Sequence, residues 1–107
     1  MRGFIKIKGY ATVQDIIIPI DSIVSASFND GSGDDLFYIS TNIVGQNGWI
    51  LEMVDVQGNA ADDATKLMSI VEEVNNILLA QPGGGVVELG GTYSRVNSFE
   101  YTQLFNN

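Results

Sequence analysis

From Asn59 to about Ala80 the apolar residues recur at a helical spacing, whereas every other patterned segment of the chain alternates with a period of two. Wound at 3.6 residues per turn, Leu67, Ile70, Val71, Val74, Ile77 and Leu78 share a face about 120° wide. A single amphipathic helix among strands has to bury that face against a sheet. The expected fold class is therefore α+β: an antiparallel β-meander of about five to seven strands, open or curled toward a barrel, with the helix packed on it and a C-terminal β-hairpin. Asn59 or Asp62 can cap the first free amides, and Asp62 with Asp63 puts negative charge at the positive end of the helix dipole. Gln81-Pro82-Gly83-Gly84-Gly85 ends the helix, because proline donates no amide hydrogen and glycine turns left-handed without strain.

The strands are read from alternation. Ile5 and Ile7 alternate with Lys6 and Lys8, giving an opening strand with one wet face. Ile16-Ile17-Ile18-Pro19-Ile20 is β-branched, but Pro19 confines it to an edge or a strand end. In Ile23 to Phe28, Val24, Ala26 and Phe28 oppose Ser25 and Ser27; the run breaks at Asn29–Asp35 and resumes over Leu36–Thr41, predicting a hairpin with a loop longer than two residues. Trp49 to Val56 follows the Gln46-Asn47-Gly48 turn. Beyond the helix, Val86–Leu89 and Thr92–Phe105 flank Gly90-Gly91. The order of strands and then a helix distantly resembles that of pleckstrin-homology-like small barrels, which would imply a binding module. The chain departs from that order by its C-terminal strands, carries no diagnostic motif and is assigned to no family.

A chain of 107 residues has material for one hydrophobic core, so residues 1–107 are read as a single domain. Thirteen carboxylates against five basic residues give a formal charge of −8. That field repels phosphate backbones and anionic lipid, so neither nucleic acid nor a membrane is an expected partner. Lys6 and Lys8 interrupt what would be the apolar region of a signal peptide, and no apolar run reaches the roughly 20 residues that span a bilayer, so a cytoplasmic location is expected. The chain has neither cysteine nor histidine, which removes thiol nucleophiles, thiolate and imidazole metal sites and the commonest general base.

Among carboxylates, Asp34/Asp35, Asp62/Asp63 and Glu72/Glu73 are sequence neighbours whose side chains diverge on a strand or helix. No catalytic, cofactor-binding or metal residue is assigned, no cofactor is expected, and the chain is read as a non-enzyme. The sharpest chemical hint is Asp30-x-Ser32-x-Asp34, with oxygen side chains at alternate positions as a calcium loop requires. It departs from the EF-hand pattern, because Asp35 and Thr41 stand where glycine and glutamate are needed. The glycine runs lead into strand-like sequence, not into a helix, and so lack the context of a phosphate cradle.

Association chemistry is better represented. Met68 and Leu79 lie about 100° or more from Leu67 around the helix, off its main apolar face. Trp49, Tyr93, Phe99 and Tyr101 carry the aromatic chemistry of both cores and interfaces. The expected function is a non-enzymatic protein-interaction or assembly module, a homo-oligomer using exposed β-edges and an interface that includes Met68, Leu79, Phe99 and Tyr101. The alternative is a small-ligand or calcium-binding domain built on the acidic loop at 30–35.

Overall fold

The first strand, β1 (Phe4–Gly9), buries Ile5 and Ile7 completely and leaves Lys6 and Lys8 half-exposed, as the alternation predicts. The computed structural model describes residues 3–31, 34–45, 47–80 and 83–103. In chain order β2 (Ile16–Pro19), a 3-10 helix (Ile20–Ser22), β3 (Ile23–Gly31), β4 (Asp34–Thr41), β5 (Gly48–Val54), α1 (Ala64–Ala80), β6 (Val86–Glu88) and β7 (Arg95–Thr102) follow β1. The seven strands make one mostly antiparallel sheet in the order β2-β1-β7-β5-β4-β3, with β6 also paired to β1. α1 packs on it, so the architecture is α+β.

β3, β4 and β5 form the expected meander. β5 then takes β7 as its antiparallel neighbour, and β1 pairs with β7 in parallel. Strands β2 and β3 stand at the two ends of this order although only the 3-10 helix separates them in sequence. The sheet therefore has to coil, bringing its ends together at one corner, where Ile20 is buried and Asn42 donates its backbone N–H to Ser22 at 2.9 Å. Among the described residues no β2–β3 ladder closes it, so the sheet is not a closed barrel.

The C-terminal strands expected around Gly90-Gly91 are β6 and β7. Both run parallel to β1: Lys6 is opposite Glu88, and Lys8 is opposite Arg95. On β1 only Ile7 separates these positions, whereas the facing chain inserts residues 89–94. That segment is thus an excursion out of a strand, not a reversal of direction. Leu89 and Ser94 anchor its ends in the interior, and Gly90–Tyr93 bulge between them.

Three local features differ from the sequence reading, each for a physical reason. Pairing in β3–β4 continues through Asp30↔Asp35 to Gly31↔Asp34, so the strands extend into the segment expected as a long loop. The register shifts between Ile23 and Ser25, and this bulge turns Val24 outward while Ile23, Ala26 and Phe28 pack on the core. The helix begins at Ala64, not Asn59. The Asp55 carboxylate gathers the backbone N–H of Gln57 and of Asn59 at 2.9 Å each, an Asx turn, and Ala60 bridges back to Val54. Asp63 is the cap, its Oδ1 accepting the Lys66 N–H at 2.9 Å.

The buried stripe of α1 is Leu67, Ile70, Val71 and Val74, with Ile77 and Leu78 partly buried beside it. It meets Phe37, Ile39, Leu51, Met53 and Val96 from the sheet in one core. No helix among the described residues is long and apolar enough to cross a membrane.

Candidate functional site

β1 ends early for reasons legible in its own residues. Gly9 donates its N–H to the Asp15 carboxylate at 2.8 Å, and Tyr10–Val13 close a turn in which Ala11 takes a left-handed conformation. A Cβ on Gly9 would fall 1.7 Å from the Val13 carbonyl oxygen, so only glycine allows this turn to fold back so tightly. Pairing of β1 with β7 consequently stops at Gly9↔Val96. Over Asn97–Thr102, β7 has β5 on one side and, among the described residues, no strand on the other.

An aromatic cluster lies against this open edge. Tyr101 is opposite Trp49 and stacks on its indole, ring centres 4.4 Å apart at 20°, while Phe99 meets the same indole at 5.9 Å and 54°. Phe99 is opposite Leu51, which is fully buried, yet Phe99 itself is 39% exposed because the core ends where β1 ends. At the same end of the sheet, the connection between β4 and β5 presents Val44, almost wholly exposed, and Ile43.

The other two predicted interface residues belong to the helix. Met68 and Leu79 are 43% and 79% exposed and eleven positions apart, which returns them to nearly the same side of α1. Glu72 and Asn75, both exposed, stand between them on that side, so the pair does not form a continuous apolar patch. Met68 lines a shallow cleft against Phe28. The structure therefore joins Phe99 and Tyr101 through Trp49 and leaves Met68 and Leu79 on a separate element.

A second cleft, of about 540 Å³, opens between α1 and the excursion. Ile70, Ile77, Val87 and Tyr93 give it apolar walls, and Glu72, Glu73, Asn76 and Thr92 line it with polar groups. Its geometry depends on Glu73, whose Oε2 accepts the Gly90 N–H at 2.7 Å and whose Oε1 accepts the Gly91 N–H at 3.3 Å. At its upper end the Lys66 ammonium stands 5.7 Å from the centre of the Tyr93 ring and is held by Asp62 at 2.6 Å. This hydrogen bond and charge hold the Asp62 carboxyl below its usual range and raise Lys66. Sequence reasoning had no signal for this cleft, because its two walls are brought together only by the β1–β6 and β1–β7 pairings.

The adjacent carboxylates do not diverge as their spacing predicts: Asp62 and Asp63 both reach the Lys66 ammonium, at 2.6 and 3.8 Å, with Asp63 also capping the helix, and Glu73, which holds the excursion, lines the same cleft as exposed Glu72. No group of three or more Asp and Glu among the described residues is arranged to hold a metal ion. Ser32 and the side chains of Asp30 and Asp34 lie outside the described residues, so the calcium reading is neither supported nor opposed by this geometry. Comparison with protein-family models, with curated proteins and with solved structures finds no match for this chain.

Proposed function

We propose that the chain is a non-enzymatic assembly module that self-associates through the open half of β7. The observation that carries this reading is the early end of β1. Among the described residues it leaves Asn97–Thr102 without a strand on one side, with the Trp49–Phe99–Tyr101 cluster beside it. An unpaired row of backbone donors and acceptors is a template for another strand, and aromatic side chains next to it supply the apolar burial that backbone bonds alone do not. The segment carries one charge, Glu100, and neither proline nor lysine, the residues with which solitary proteins commonly blunt an edge.

The test is the absolute mass in solution, by light scattering after size exclusion, over a hundredfold range of concentration. A stable multiple of the 11.6 kDa chain is expected. Phe99→Lys, which puts a charge into the cluster, should return the protein to a monomer that still unfolds cooperatively, at a lower melting temperature because association no longer stabilises the folded state. A wild-type monomer throughout the range refutes the reading, and so does an oligomer that Phe99→Lys leaves intact.

A further inference from the structure

We infer that the cleft between α1 and the Gly90–Tyr93 excursion binds a small organic amine, an ammonium group carried on an apolar body. Its volume of about 540 Å³ falls in the range of small-molecule sites. The apolar walls of Ile70, Ile77, Val87 and Tyr93 suit a hydrocarbon or aromatic body of the ligand. Both ionised groups lining the cleft are carboxylates, Glu72 and Glu73, and no lysine or arginine lines it.

Glu73 spends one acceptor position on each oxygen in holding Gly90 and Gly91, and a carboxylate oxygen has a second. Glu72, one residue earlier and exposed, adds a further negative charge at the rim. The chain's charge of −8 concentrates cations and repels anions at such a mouth. The Lys66 ammonium already stands over the Tyr93 ring, so the ligand's ammonium is directed to Glu72 and Glu73 instead, and Asp62 and Asp63 offset the Lys66 charge nearby. Asn76 and Thr92 complete the lining with groups that orient a ligand. From Ser69 to Ala80 the cleft follows the helix for about 16 Å, long enough for a two-ring or short-chain amine. This site is independent of the β7 edge, so either proposal can fail alone.

The experiment is an amide chemical-shift titration of the full chain with 2-phenylethylamine at neutral pH, with 2-phenylethanol as its uncharged counterpart. Saturable shifts confined to Asn76, Ala80, Thr92 and Tyr93 are expected, with the alcohol weaker by about tenfold or more. Glu72→Gln should weaken the amine by about fivefold, in keeping with one exposed ion pair, without changing the melting temperature or the oligomeric mass. Absence of saturation up to about 10 mM overturns the proposal, as does equal affinity for the alcohol or indifference to Glu72→Gln. Binding by N-acetyl-lysine amide but not by 2-phenylethylamine also overturns it, because the occupant would then be a lysine side chain of a protein.

Discussion

The carboxylate of Glu73 accepts the backbone N–H of Gly90 at 2.7 Å, joining the third turn of the helix to the excursion between β6 and β7 across 17 residues of sequence. With the Gly91 N–H on its other oxygen, it ties two successive amides that lie outside any strand ladder among the described residues. One side chain thereby sets the width of the cleft.

Glu73→Ala removes both acceptors, and water can replace them only in part. The expected loss of stability is about 1–2 kcal/mol in urea unfolding, with faster hydrogen exchange at Gly90 and Gly91. Glu73→Gln retains one acceptor oxygen and should fall between. Unchanged exchange at both amides in the alanine variant would show that the clasp does not hold the excursion.

Gly9→Ala tests the turn that ends β1. The added methyl would meet the Val13 carbonyl oxygen at 1.7 Å, and neither a Cβ nor a backbone carbonyl can rotate aside, so the hairpin must move as a whole. A cost of about 2–3 kcal/mol is expected, at the upper end for overpacking. A variant as stable as the wild type would mean that the β1–β2 turn is more adjustable than its geometry indicates.

Two leucines of α1 separate core from surface. Leu67 is fully buried, and Leu67→Ala should cost about 2–5 kcal/mol through lost transfer energy and the cavity left behind. Leu79 is 79% exposed, so Leu79→Ala should change stability by no more than about 0.5 kcal/mol. Denaturant midpoints of the two variants provide the check, and a costly Leu79→Ala would mean that another surface covers it.

Acid should weaken the fold through three carboxylates held below the ordinary value of 3.8: Asp15 by the Gly9 N–H, Asp55 by the Asn59 N–H, and Asp62 by its hydrogen bond to Lys66. A lowered folded value means that the unfolded chain binds more protons in this range. Their contribution is therefore complete above about pH 5 and lost as the pH falls through 3.8 toward the folded values. Lys66 is raised above 10.5, so its contribution is complete below that pH and lost as the pH rises through the folded value. Urea midpoints followed from neutral pH into acid should show a shallower decline for Asp55→Asn, which keeps an acceptor but not the titration.

The helix was legible because burial repeats every three or four residues in its sequence, and its inward stripe of Leu67, Ile70, Val71 and Val74 is the one the spacing predicts. Its start was less legible. Asn59, Asp62 and Asp63 are all chemically able to cap, and the choice of Asp63 depends on Asp55 having already engaged Asn59. Alternation likewise identified β1 and β4 but could not foresee the bulge at Val24, which reverses the side on which that residue lies. Phe99 and Tyr101 were singled out by residue type; their grouping with Trp49 comes from the β5–β7 register, and no local pattern encodes it.

By itself the sequence determined the α+β class, the inward face of the helix and the absence of thiol and imidazole chemistry, because periodicity and composition are local properties of the chain. Tertiary structure alone decided that β6 and β7 both run along β1, that β7 outlasts β1 by six residues, and that Glu73 reaches Gly90 and Gly91. Those relationships join segments far apart in sequence. Each is selected by the collective burial of Ile5, Ile7, Leu67 and Leu89 in one core, a balance in which no single segment carries the information.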